Sequence, residues 1–254
     1  MPSGDSPVLL HGPALVGLVK TVEVLAAEPI GDYAIVGGVA VTVRVGSAHR
    51  STTDVDTVVD EGLVPSALEV LLRQPGAVPG DRFQQVFLDG TKVELLPVGR
   101  VAAGDVDGLP DDQALFVTAH AWALESATVS TIIAVDDPRG RRVTARFATP
   151  SALVACKLHA IEDRHGVGVE KRGSDALDLF RLLADLDDAG GVSDPFRTAS
   201  PELRRLTVEA AARVLVAGAS RTAGWMRSAG VDAVGADELR FVATRFITAI
   251  SSTS

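Results

Sequence analysis

A four-residue apolar run, Tyr33-Ala34-Ile35-Val36, ends abruptly at Gly37-Gly38. Four consecutive apolar residues bounded by two glycines read as a buried strand entering a tight turn. Residues 39–45 carry the pattern of a helix leaving that turn, although they are rich in valine. Next, residues 52–59, Thr-Thr-Asp-Val-Asp-Thr-Val-Val, alternate with period two, the mark of a strand. Strand, Gly-Gly turn, helix and strand in that order confine this region to a mixed sheet with helices packed on it.

The flanking sequence extends the same architecture. Residues 8–27 place Leu9, Leu10, Leu15, Leu18, Val22 and Leu25 at helical spacing, with a break at Gly12-Pro13. Residues 65–73 read as a helix, and 82–98 as two strand-like arms around Leu88-Asp89-Gly90-Thr91. Asp-Gly is a strong signal for a two-residue hairpin turn. Residues 100–113, rich in Gly and Asp, read as a surface loop, and 128–135 with 141–147 as a second hairpin about Asp136-Asp137-Pro138-Arg139-Gly140. Thr149-Pro150 supplies an N-cap and a first-turn proline. Beyond it helices are expected over 150–164, 174–188, 201–218 and 236–251, with a glycine-containing loop at 165–173. The expected organisation is an α/β (α+β) portion over residues 1–148 and a helical portion over 149–254, both of ordinary domain size.

Composition excludes several classes. With one cysteine, Cys156, no disulfide can form within the chain, and a reducing, cytoplasmic setting is expected. Cys156 lies in an apolar helical pattern and reads as a small buried side chain. No apolar stretch reaches the roughly 18 residues needed to cross a bilayer, and no basic-then-apolar leader opens the chain, so no membrane partner is expected. The spacing of His and Cys offers no four-ligand zinc site. A net charge of -9 argues against a broad basic nucleic-acid surface, and 4% aromatic residues against a protein built on base stacking. Two local basic groups remain, Arg139/Arg141/Arg142/Arg146 and Arg164/Lys171/Arg172, which in most proteins are only solvated faces.

The chemistry concentrates on Asp54 and Asp56. Residues i and i+2 of a strand face the same side, so the two carboxylates project together and repel unless a cation joins them. Mg²⁺ takes oxygen ligands and is commonly shared between carboxylates and phosphates; Mn²⁺ serves the same donor set. Glu94, in the apolar run Val93-Glu94-Leu95, is the candidate third acid, because a lone charge there is costly to bury. Gly37 and Gly38 let the backbone approach a ligand, and their amides can meet a triphosphate where a helix begins. Each piece has a plainer reading: an Asp-x-Asp on an exposed strand edge, a Gly-Gly that is only a turn, a half-exposed glutamate. Among the helical residues, Lys157 sits in an apolar helix and could simply reach the surface. Asp175 could favour a helix N-terminus, and Asp178 could pair with Arg172 or Arg181. His120, His159 and His165 read as structural or exposed.

Taken together, Val36-Gly37-Gly38-Val39-Ala40 followed by Arg50-Ser51-Thr52-Thr53-Asp54-Val55-Asp56 resembles the nucleotidyltransferase signature of the AbiEii-type toxin family, MenT-like toxins included, within the polymerase-beta superfamily. The likeness continues at Glu94, at Thr149-Pro150-Ser151 and Lys157, and at Lys171-Arg172-Gly173-Ser174-Asp175-Ala176-Leu177-Asp178-Leu179, and spans about residues 33 to 183. The resemblance implies a polymerase-beta-like core and a nucleotide-binding cleft completed by the helical portion. It implies Asp54, Asp56 and Glu94 as metal ligands, and Lys157 as a triphosphate contact with Asp175 as a further essential acid. Gly37, Gly38, Arg50, Thr52 and Asp178 stand on the nucleotide side, Thr52 where some relatives carry a serine that an antitoxin can phosphorylate. The expected activity is transfer of a nucleoside monophosphate from an NTP to an acceptor, a transfer RNA end or a protein, with a cognate antitoxin as a possible partner. Two departures stand out: the third acid is Glu where Asp is frequent, and the net charge is acidic. Alternatives are a nucleotidyltransferase for a small cationic acceptor of aminoglycoside type and a catalytically idle nucleotide-binding module.

Overall fold

The computed structural model describes residues 6–47, 52–102, 104–163, 168–230 and 234–252. Of the residues singled out above, Arg50, Ser51, Arg164 and His165 lie outside that set. The described chain forms two compact units, one of residues 1–100 with 123–149, the other of 101–122 with 150–254. Residues 101–122 thus belong with the helical unit although they precede residue 148 in the chain.

The first unit is an eight-stranded mixed sheet. In chain order its strands are β1 Val8–Leu10, β2 Tyr33–Val36, β3 Asp54–Asp60, β4 Val78–Pro79, β5 Gln85–Leu88, β6 Thr91–Val98, β7 Thr128–Ala134 and β8 Arg142–Phe147. Their spatial order is β1-β7-β8-β2-β3-β6-β5-β4. β2 runs antiparallel to β3, and β3 runs parallel to β6. Helix α1, Pro13–Ala27, packs across β7, β8, β3 and β6, burying Leu15, Leu18, Val22 and Leu25. Helix α2, Gly37–Val45, starts at the end of β2, and α3, Val64–Leu72, packs on β5 and β6. Arg44, in the last turn of α2, fastens that helix to the sheet. Its guanidinium donates to the Ala148 carbonyl at 2.8 Å, to Ser130 Oγ at 3.0 Å and to Thr128 Oγ1 at 2.8 Å. Burial pushes its pKa down to about 10, so it remains charged near neutrality.

The expected hairpins form. Asp89 and Gly90 both take positive φ, 47° and 82°, the conformation a tight two-residue turn demands. Two expectations fail here for identifiable reasons. Val8–Leu10 is a strand parallel to β7 rather than the first turn of a helix, because Pro13 can begin a helix but not continue one. The loop expected over 100–113 ends early: helix α4, Asp111–Glu125, begins behind Pro110 with two aspartates in its first turn, where the helix dipole favours them.

The second unit is helical. It contains most of α4, with α5 Pro150–Asp163, α6 Val169–Leu186, α7 Pro201–Ala211, α8 Ala219–Ser228 and α9 Ala236–Ser251. α6 starts five residues before the expected 174, so Lys171, Arg172 and Gly173 are helical rather than in a loop. The single helix expected over 201–218 is interrupted by a π-helical stretch, Ala212–Ala217, and α8 follows where no helix was expected. Thr222 Oγ1 donates to the Val214 carbonyl at 2.8 Å, satisfying an acceptor that the widened turn leaves open.

Candidate active site

Backbone register builds the acidic face of the first unit. In the parallel β3–β6 pair Asp54 lies opposite Lys92 and Asp56 opposite Glu94. Strand alternation sends the intervening Val55, Val93 and Leu95 to the other side, where all three are fully buried. Asp54, Asp56, Lys92 and Glu94 therefore occupy one face, each partly open to solvent.

Lys92 was not among the residues expected from the sequence, yet it stands between Asp54 and Glu94. Its Nζ is 3.2 Å from Asp54 Oδ2 and 3.2 Å from Glu94 Oε2. Burial by itself would lower the lysine's pKa; the two neighbouring carboxylates outweigh it, and the net shift is upward. The period-two rule alone puts Lys92 on the same side as Glu94. Its position opposite Asp54 needs the strand register, which a single sequence does not carry.

β2 ends where Val36 pairs with Asp56, and α2 starts at the next residue. Gly37 has φ +68°, and a Cβ there would overlap the Asp56 carboxylate and stand 3.0 Å from its Cγ. The glycine is thus required twice, for its backbone angle and for the room it leaves beside Asp56. Gly37 and Gly38 form the first turn of α2, whose amides have no intrahelical acceptors.

The donor set, carboxylates only, suits a hard divalent cation, and the space at Gly37 leaves Asp56 accessible. The geometry also sets a condition. Among the described residues no three His, Cys, Asp or Glu side chains are gathered closely enough to hold a metal ion. Asp54 and Glu94 are instead joined through Lys92.

Thr52, just before β3, is 5% exposed, and its hydroxyl has no hydrogen-bond partner among the described residues. It lines a small apolar cavity with Leu10, Leu15, Leu18, Val39 and Ile132. The other expected site residues lie in the second unit. Lys157 on α5 is 6% exposed, with its Nζ 2.8 Å from Asp175 Oδ1 and 2.7 Å from Asp178 Oδ2, both on α6. The sequence left Lys157 free to reach the surface; in the structure it is buried, with Asp175 and Asp178 against its ammonium. Cys156 beside it is buried, and its thiol is pushed up to about 12 by burial, against the opposing pull of Lys157, so it stays protonated. His120 Nδ1 donates to the Phe116 carbonyl at 2.8 Å, and the ring lies tilted against Phe116 and edge-on to His159, a structural setting.

No protein-family model matches this chain. No curated protein matches it either. The resemblance to AbiEii-type toxins therefore stands on the residues quoted for it. Among solved structures the chain is similar to the solution structure of the antibiotic-resistance factor ANT(2'')-Ia, at a TM-score of 0.40 and 12% identity, over 80% of this chain and 93% of that one. A likeness that distant has no functional weight, and the reading below rests on the chain's own residues. Among the described residues no helix is long and apolar enough to cross a membrane.

Proposed function

We propose that the chain is a divalent-metal-dependent nucleotidyltransferase whose working face is Asp54, Asp56 and Glu94. The observation that carries this reading is the juxtaposition of three acids on adjacent, in-register strands with a helix that opens on Gly37-Gly38 against Asp56. In this reading Asp54 and Asp56 hold the ion, with Glu94 as the third acid. A bound Mg²⁺ or Mn²⁺ would hold the NTP triphosphate and stabilise the charge that develops on the departing pyrophosphate. The free amides at the start of α2 meet phosphate oxygens, as helix N-termini do. The acceptor oxygen attacks the α-phosphorus, the bond to pyrophosphate breaks, and the acceptor's proton passes to a carboxylate of the face. Lys157 as a triphosphate contact, Asp175 as a further essential acid and Asp178 on the nucleotide side are kept on the resemblance alone. Arg50 and Thr52 stay in the proposal on the resemblance alone.

The resemblance supports a toxin that modifies a transfer RNA end or a protein and is restrained by an antitoxin. One observation favours a second reading: a net charge of -9 suits a small cationic acceptor of aminoglycoside type. Incubation with Mg²⁺, each labelled NTP and separate pools of RNA, protein and aminoglycosides distinguishes them by which pool gains label. Asp56→Ala is expected to abolish labelling while leaving the melting temperature unchanged or higher, since carboxylate repulsion is relieved. Full labelling by Asp56→Ala sinks the assignment. Stabilisation by Mg²⁺ with NTP but no transfer to any pool points to the idle nucleotide-binding module.

A further inference from the structure

We propose that Lys92 is a resident cation of the acidic face, standing where an ion shared between Asp54 and Glu94 would stand, so that a divalent ion binds across those two carboxylates only by displacing the ammonium. The inference rests on the metal reading of Asp54 and Asp56 and adds the group that governs access to them.

Three observations carry it. The ammonium is equidistant from the two acids, 3.2 Å from Asp54 Oδ2 and 3.2 Å from Glu94 Oε2. Its place is set by backbone register, because Lys92 is the β6 residue directly opposite Asp54 and lies two residues before Glu94 on the same face. And Lys92 is only partly covered, with a side-chain exposure of 26%, so its four-carbon stem has a solvent side to swing towards.

The ammonium already bridges Asp54 and Glu94, so the place between these two acids is filled by one cation at a time. In the metal-free protein Lys92 offsets the repulsion between Asp54 and Glu94, so metal binding across those two acids is an exchange of cations.

The test is Mn²⁺ binding to the full chain, read by the loss of the free-ion paramagnetic resonance signal, together with melting in chelator and in Mn²⁺. Wild type, Lys92→Met and Lys92→Arg are compared. Lys92→Met is expected to bind Mn²⁺ roughly tenfold more tightly or better, since a unit charge at contact distance is removed. It should melt lower than wild type in chelator and recover in Mn²⁺, whereas Lys92→Arg behaves as wild type. Equal Mn²⁺ affinity in wild type and Lys92→Met overturns the role of Lys92 and leaves the metal reading standing. Binding by neither protein overturns both. If Lys92→Met unfolds in chelator, saturating Mn²⁺ decides: refolding supports the exchange, and a chain that stays unfolded makes Lys92 a purely structural residue.

Discussion

At the scale of single residues, the buried ion triple of the second unit is the most exposed to substitution. Asp175 and Asp178 are almost fully buried, and both lie within ion-pair distance of the Lys157 ammonium. Removing one partner from such a group strands the remaining charges away from water, at a cost of about 3–5 kcal/mol. Lys157→Met is therefore expected to lose stability on that scale in urea denaturation, because it takes from two buried carboxylates the cation they share. Combining it with Asp175→Asn and Asp178→Asn should recover much of the loss, since the two carboxylates that shared the ammonium are then neutral as well. A single Lys157→Met that denatures like wild type contradicts the triple. The same logic explains why the plainer reading of Lys157, a side chain reaching the surface, does not hold. A lysine in an apolar helix reaches solvent unless an acid meets it inside, and its acids arrive from another helix, 18 and 21 residues on.

Among the elements, α6 shows how much of the fold the residues announce and where they mislead. Its apolar positions read as a helix, but Gly173 reads as a breaker. In the structure Gly173 is a contact residue: a Cβ there would overlap the Trp225 carbonyl of α8 and lie 2.8 Å from the Ala229 side chain. Beside that contact, the guanidinium groups of Arg172 and Arg221 lie 5.2 Å and 5.3 Å from the Trp225 ring centre. Gly173→Ala gains helix propensity but forces α6 and α8 apart; a net loss of about 1–2 kcal/mol is expected by chemical denaturation, with altered Trp225 emission. A more stable variant would mean that the α6–α8 contact gives way freely. The strands that carry the acids were far more legible, because period-two alternation and an Asp-Gly turn are local signals. Helices α4 and α8 were not: α4 has no one-sided apolar stripe, and the buried stripe of α8, Ala219, Thr222, Ala223 and Met226, is built mostly of small residues. Asp54, Asp56 and Glu94 could be placed on one face from spacing and a guess at pairing, whereas Lys92 between them and Arg44 beneath α2 depend on register and on contacts across about a hundred residues.

For the molecule as a whole, acid sensitivity has one identifiable source in His120. Burial pushes its pKa down to about 4 from the ordinary 6.5, with the Phe116 carbonyl pulling the other way and His159 adding to the depression. Between those two values the unfolded chain takes up a proton that the folded chain refuses, so stability falls as pH drops from about 6.5 towards 4 and this contribution levels off below. The share expected from His120 is about 2 kcal/mol between pH 7.5 and pH 5. His120→Asn, which keeps a donor for the Phe116 carbonyl but cannot be protonated, should show a correspondingly shallower fall in denaturation midpoints across that range. An unchanged slope places the acid sensitivity elsewhere.

The pairing of Val36 with Asp56, one step before α2 begins, has a kinetic meaning as well. Asp54, Asp56 and Glu94 are positioned by the ladder hydrogen bonds of three adjacent strands rather than by a loop that can open on its own. Amides in such a ladder exchange with solvent only when the surrounding cooperative unit opens. The acids and the middle of the sheet thus come apart in the same event, and no partly opened form keeps the sheet while scattering the acids.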